Sequence, residues 1–150
     1  MSDTARLDAL EALEAIRRCK AGYFRCIDTK DWAGLDVVLH EDIHLVVPEA
    51  GADLRGRARV VRTLAAVLDG VVTVHHGHLP ELTLLDEQTA TGIWAMDDEL
   101  WFPDGSAQRG RGHYHETYRR TADGWRIAAL RLERLRLERR AAPTAPWVVV

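Results

Sequence analysis

A tyrosine and an aspartate close the first helix-like stretch of the chain, in YFRCIDTKDW (residues 23–32), and five of the seven histidines crowd into two short segments, VHHGHLPEL and GHYHETY. These side chains suit proton transfer. An imidazole changes charge near neutral pH, a carboxylate can orient it, and a phenol can donate to a developing oxyanion. Alternate side chains of a strand share a face, so His76 and His78 point together and His75 points away. In the second segment Tyr114, Glu116 and Tyr118 share one face, and His113, His115 and Thr117 the other. Any one of these histidines alone fits the surface of a half-exposed sheet. A cluster of polar groups on the concave side of such a sheet, by contrast, needs partners. Histidines at i and i+2 also have metal-ligand spacing, and His76/His78 with His113/His115 would chelate if both pairs faced one interior. The aromatic pattern turns Tyr114 and Tyr118 inward instead, so no metal site is expected.

The Tyr23–Asp28 spacing puts the two on different faces of a straight helix, and they converge only if the helix ends near Asp28, as DTKD favours. A carboxylate at a helix C-terminus opposes the helix dipole, so Asp28 calls for a partner, and a histidine ring nitrogen is a natural one. The competing readings are a solvated helix end for Asp28 and a core aromatic with a locally satisfied hydroxyl for Tyr23.

The elements that must position these groups are set by hydrophobic period. Leu10, Leu13, Ile16, Cys19, Tyr23 and Ile27 step by three or four, which predicts an amphipathic helix over 5–28. Asp31 predicts the cap of a short second helix over 32–39, with Trp32, Leu35 and Leu39 on one side. IHLVV then reads as a strand ended by Pro48, and RARVVRTLAAVLDG as a third helix with Val60, Val61, Leu64, Val67 and Leu68 inward. Four long strands come next, at about 71–86, 89–102, 107–121 and 124–138, separated by DEQT, PDGS and TADG; such short turns imply antiparallel neighbours. The fold class is therefore α+β, with helices on one face of a curved antiparallel sheet. The last strand places Leu130, Leu132 or their neighbours among arginines on the outward face, which predicts a homodimer or larger assembly. One domain spans 1–140, and 141–150 forms a tail whose Trp147 either docks or stays loose.

Composition narrows the function classes. The 150 residues are 47% apolar and 29% charged with a net charge of −3, an ordinary globular balance with no basic footprint for nucleic acid. Cys19 and Cys26 lie two helical turns apart, about 10 Å at the helical rise, too far for a disulfide. Buried thiols, no charged leader and no long apolar run fit a soluble cytoplasmic protein with no membrane partner. There is no G-x-G-x-x-G and no P-loop, so no cofactor is expected.

With Y-x4-D-T-K-D-W on the first helix, VHHGHLPEL, TATGIWAMDDEL and GHYHETYRRTADGWRIAALRLERLRL in sheet strands, residues 5–138 resemble the SnoaL-like branch of the nuclear transport factor 2-like superfamily. The resemblance implies a cone-shaped fold whose curved sheet wraps an apolar pocket beside the first helix. Scytalone dehydratase, bile-acid 7α-dehydratase and hexachlorocyclohexane dehydrochlorinase belong to that superfamily, and their recurring apparatus is a helix Asp paired with a strand His. Asp28, His76 and Tyr23 match that Asp, that His and the dehydratases' helix tyrosine in placement, and Asp98 matches the bile-acid enzyme's acidic residue. The resemblance thus implies a cofactor-independent lyase of dehydratase type, or an isomerase, with Tyr23, Asp28 and His76 catalytic. His78, Trp94, Met96, Asp98, Tyr114, Glu116 and Tyr118 would contact an apolar cyclic substrate, steroid-like or polyketide-like. The alternatives are a binding domain of the same fold without catalysis, and a metal-dependent enzyme using the histidine pairs.

Overall fold

The computed structural model describes residues 2–150. Helix α1 runs Asp3–Thr29, its first turn closed by Ser2, whose hydroxyl accepts from the Ala5 amide at 3.2 Å. Its covered face is Ile16, Cys19, Lys20, Tyr23, Phe24 and Ile27, while Leu7 and Leu10 at its N-terminal end stay exposed. The helix stops at Lys30, which adopts a left-handed conformation (φ 59°) and returns its amide to the carbonyls of Cys26 and Ile27. Asp31 accepts from the Gly34 amide at 2.9 Å, but the residue at the cap of the next segment is Ala33, with no side-chain cap bond. The helix expected over 32–39 is only a 3-10 turn, Gly34–Val37, because Leu39 is already in register with Ile127 of the sheet.

The sheet is built from β1 (Leu39–Val47), β2 (Ala52–Arg55), β3 (Val72–Gly77), β4 (Glu81–Leu84), β5 (Thr89–Trp101), β6 (Ala107–Thr121), β7 (Gly124–Arg140) and β8 (Val148–Val149), with helix α2 (Arg57–Val67) between β2 and β3. The order is β2-β1-β7-β6-β5-β3; β4 also pairs with β5 and β8 with β7. Residues 71–138 are antiparallel as predicted, and the α+β cone fold with them. Two details differ. The strand expected over 71–86 is interrupted after Gly77, at residues 78–80, where Pro80 has no amide to give the ladder. The sheet is also mixed, since β1 joins β7 in parallel, a pairing between distant segments that turn residues cannot announce.

Curvature comes from register shifts between Arg111 and Gly112 and between Thr117 and Tyr118. A Cβ on Gly112 would lie 2.1 Å from the Glu133 carbonyl, so only glycine lets the two strands approach there. The bent sheet closes on α1 and α2 around a core that includes Ile16, Ile27, Leu39, Ile43, Ile127 and Leu130. Leu130 and Leu132 face this interior, not the outside as expected; Arg131, Glu133 and Leu135 alternate outward. Val67, placed inward by spacing, is exposed. The tail is ordered on β7, with Val148 and Val149 paired to Arg139 and Glu138 and the Trp147 ring between the guanidiniums of Arg109 and Arg140, at 4.5 and 4.9 Å. Among the described residues no helix is long and apolar enough to cross a membrane.

Candidate active site

A cavity of about 530 Å³ lies between α1, α2 and the concave face of the sheet. Ile27, Leu45, Leu54, Leu64, Leu100, Leu130 and Leu132 make its wall largely apolar, and the polar groups reaching it include Tyr23, His75, Asp98, Tyr114, Gln108 and Arg134. A mostly apolar hollow with a few convergent polar groups is the usual form of a small-molecule site.

The centre of the site is a contact between the end of α1 and β3. Asp28 Oδ1 lies 2.6 Å from His75 Nδ1, and Asp28 Oδ2 accepts the His75 backbone amide at 2.9 Å. Thr73 adds its hydroxyl to Oδ1 at 2.9 Å and accepts from Lys30 Nζ at 2.9 Å. Burial acts to raise the Asp28 pKa, but the hydrogen bonds from the His75 ring and backbone outweigh it and hold the carboxyl below its ordinary value. The carboxylate is thus kept ionised and takes Nδ1–H, which leaves the Nε2 lone pair of His75 available to the cavity. Phe24 stacks on the imidazole, with centroids 6.2 Å apart and planes 13° apart. Asp28 and Phe24 therefore set the ring, and the remaining bonds hold Asp28.

On the far side of His75, Nε2 is 4.0 Å from Asp98 Oδ2. Asp98 is almost fully buried and holds Arg134 bidentately, at 2.9 and 2.8 Å, with Glu49 closing over the same guanidinium. Asp98 is thereby neutralised by its partner and is a poor candidate for a second base. Tyr23 and Tyr114 both border the cavity, and neither hydroxyl has a hydrogen-bond partner among the described residues. Burial, followed by the carboxylates of Glu116, Asp28 and Asp98, raises the Tyr23 pKa, so the phenol stays a protonated donor.

His76, the histidine expected to meet Asp28, does not face it. His76 is on the outer face, its side chain 61% exposed with Nδ1 3.6 Å from Asp97, and His78 turns outward to the same aspartate. Asp28 pairs with His75. The strand's own apolar residues conceal this: Val72 and Val74 face outward, whereas Thr73, His75 and Gly77 face in. Gly77 carried the missing signal. A Cβ there would sit 2.6 Å from Phe24 Cε2 and 3.1 Å from Trp94, so Gly77 must face the core, and alternation takes His75 with it. Gly77→Ala is accordingly expected to cost about 1–3 kcal/mol through overpacking, and to loosen Phe24 from the imidazole, seen as a lower melting temperature and an altered His75 NMR signal.

Of the residues expected to contact substrate, Asp98 and Tyr114 border the cavity. Trp94, Met96, Glu116 and Tyr118 face inward as predicted but lie elsewhere in the core; the latter two and Trp94 join a buried network in which Trp94 donates to the Tyr118 hydroxyl at 2.9 Å and Tyr118 donates to Glu116. His78 does not approach the cavity. Strands β5 and β6 are simply longer than the hollow they border. His113 and His115 are also outward, and among the described residues no three His, Cys, Asp or Glu side chains converge as a metal would require. Arg134 was missed because it sits in an arginine-rich strand that reads as solvated. Its place in step with Leu130 and Leu132 is the signal that it points in.

Because the Asp28 carboxyl is depressed, its contribution to stability is full above the ordinary carboxylate value and disappears as pH falls through the lower folded value. Wild type should exceed Asp28→Asn in stability at neutral pH, and the gap should close below the ordinary value of 3.8 in melts across an acid series.

Residues 8–131 match a family model described as a SnoaL-like domain. The chain is 25% identical over 138 residues to "Probable cyclase FGR4" of Gibberella zeae, covering 83% of this chain and 92% of that protein. Among solved structures it resembles a type 2 hexachlorocyclohexane dehydrochlorinase (LinA), with a TM-score of 0.83 at 19% identity, covering 94% of this chain and 97% of that one. It also resembles a protein provisionally named scytalone dehydratase from Novosphingobium aromaticivorans, with a TM-score of 0.80 at 18% identity, covering 93% and 97%.

Proposed function

The chain belongs to the SnoaL-like domain family, and from that premise we propose that it is a cofactor-independent lyase of dehydratase type, or an isomerase, acting on an apolar cyclic ketone or hydroxyketone of steroid-like or polyketide-like shape. The observation that carries the reading is the Asp28–His75 contact at the cavity wall, since a domain that only binds has no use for a base held in one tautomer. The cyclase relative, and the dehydrochlorinase and scytalone dehydratase that share the fold, support a lyase or isomerase class.

His75 Nε2 takes a proton from carbon next to the substrate carbonyl, and Asp28 stabilises the imidazolium that forms. The enolate oxygen accepts from the Tyr23 hydroxyl. In an elimination the imidazolium of His75 returns that proton to a hydroxyl β to the carbonyl, the C–O bond breaks as the enolate collapses to the enone, and water departs; in an isomerisation the His75 proton returns at a different carbon. Asp28 does not border the cavity and acts through the ring it holds. Tyr23→Phe is expected to lower kcat about a hundredfold, or about 2.7 kcal/mol, the usual cost of one oxyanion donor, with KM little changed.

The direct test is incubation of the protein in D2O with a panel of cyclic ketones and β-hydroxyketones, followed by proton NMR. Wash-out of the α-proton, with or without elimination, is the expected result. A panel member that binds in the cavity yet neither exchanges nor eliminates, across the whole panel, would turn the reading to one of binding alone. The exposed outer face of the sheet, with Val72, Val74, Ile93 and Leu135, is where we expect a homodimer to form. Light scattering at micromolar concentration checks this, and a monomer would contradict it.

A further inference from the structure

Lys20 is a fully buried lysine outside the Asp28–His75 contact. It lies on the covered face of α1, between Ile16 and the Tyr23–Phe24 pair, and its ammonium bonds the equally buried carboxylate of Glu116. It also sits over three aromatic rings, 3.6 Å from the centroid of Tyr114, 4.5 Å from Phe24 and 4.6 Å from Tyr23. Two of those rings carry the unpartnered hydroxyls at the cavity wall, and the third stacks on His75. The other Glu116 oxygen accepts from Tyr118, on the side of the network remote from the cavity.

We infer that the Lys20–Glu116 pair is a buried dipole whose positive end backs Tyr23 and Tyr114, making these two phenols a joint oxyanion-binding pair and Lys20 its positioning residue. The inference rests on the reading of this cavity as a site where negative charge develops on a substrate oxygen. Its physical basis is geometric. Along β6 the order is Tyr114, Glu116, Tyr118, with all three on one face, and the Lys20 ammonium packs on the Tyr114 ring. A cation on a phenol's π face draws electron density from the ring and strengthens the hydroxyl as a donor. Lys20 and Glu116 have no exposure to water, so such a fixed charge is screened less than at the surface and needs no reorganisation when the oxyanion forms. Burial holds the Lys20 pKa below its ordinary value and Glu116 acts against that, so the ammonium depends on that carboxylate for its charge; the same carboxylate raises the pKa of Tyr23 and Tyr114, and the ammonium on the ring faces has to outweigh it for the phenols to gain as donors. The two must therefore be replaced together for a clean test.

The full-length protein is titrated with naphthalene and with 2-naphthol, whose absorption separates bound naphthol from bound naphtholate. Wild type should hold more of the bound 2-naphthol as naphtholate than free solution does. In Lys20→Met/Glu116→Gln, which removes both charges at similar volume, the bound naphtholate-to-naphthol ratio should fall about tenfold, as losing a desolvated cation–π contact implies, with naphthalene affinity unchanged. Tyr114→Phe keeps the ring over Lys20 and removes only the hydroxyl, so it reads the same ratio whether or not the double variant folds, and should show a comparable loss. Either folded variant keeping the wild-type ratio overturns the proposal. Wild type that binds naphthalene but shows no enrichment of naphtholate also overturns it and leaves the cavity as a binding site. Wild type that binds neither probe overturns the site reading itself together with the dipole.

Discussion

His75→Ala should reduce turnover by three to four orders of magnitude, about 4–5 kcal/mol in the barrier, since it removes the only imidazole at the cavity among the described residues and with it the proposed proton acceptor. The fold should survive. Asp28 keeps two of its partners, the backbone amide of residue 75 and the Thr73 hydroxyl, and no hydrophobic core residue is lost. His76→Ala is the matched control: one residue along the same strand, exposed, and paired only with Asp97, it should leave turnover within a factor of about two, as surface changes do. The pair of variants therefore tests the orientation of β3 as much as the chemistry. A collapse of activity in His76→Ala with His75→Ala intact would reverse the assignment. Added free imidazole should partly restore His75→Ala if the vacated space admits it, which a purely structural role for the ring would not produce.

The largest effect on stability is expected from Glu116→Ala. Cutting one partner from a buried ion pair leaves the other uncompensated: Lys20, with no exposure to water, must hold a bare charge or give up its proton, and the Tyr118 hydroxyl loses its acceptor. Such losses run to about 3–5 kcal/mol, and for a chain of this size that corresponds to a melting temperature lower by on the order of 10 °C. Thermal melts of wild type, Glu116→Ala and the double variant Lys20→Met/Glu116→Gln separate the causes. If the pair's charge is what makes the single change costly, the double variant should recover most of the loss; if the side chains matter chiefly as volume, Glu116→Ala should lose little beyond an ordinary truncation.

The elements were legible in the sequence because their signals are local. The three-four spacing of Ile16, Cys19, Tyr23 and Ile27 marks α1, and TADG and PDGS mark the hairpins that join β5, β6 and β7. Pairings between distant segments were not legible: nothing in IHLVV says that it lies parallel to β7. Of the site, the need of Asp28 for a histidine could be argued from helix electrostatics alone. Which of two adjacent histidines meets it depends on the absolute face of β3, and alternation supplies only relative faces. Lys20 and Arg134 stayed hidden for a shared reason. A charged side chain is read as solvated until its partner is known, and Glu116 and Asp98 lie 96 and 36 residues away along the chain.

Gly77 bears on how this strand can change over evolutionary time. Two neighbouring histidines suggest a spare, as though deleting one residue ahead of β3 could move His76 into the place of His75 without penalty. The surroundings forbid that. Such a shift would carry Val74 to the position of Thr73, leaving Asp28 without its hydroxyl donor, and would press the side chain of His78 into the space where Phe24 and Trp94 already crowd a single added carbon. Length changes in the loop between α2 and β3 should thus be tolerated only when that loop absorbs them, so that insertions fall within residues 68–71 while the histidine, threonine and glycine keep their spacing.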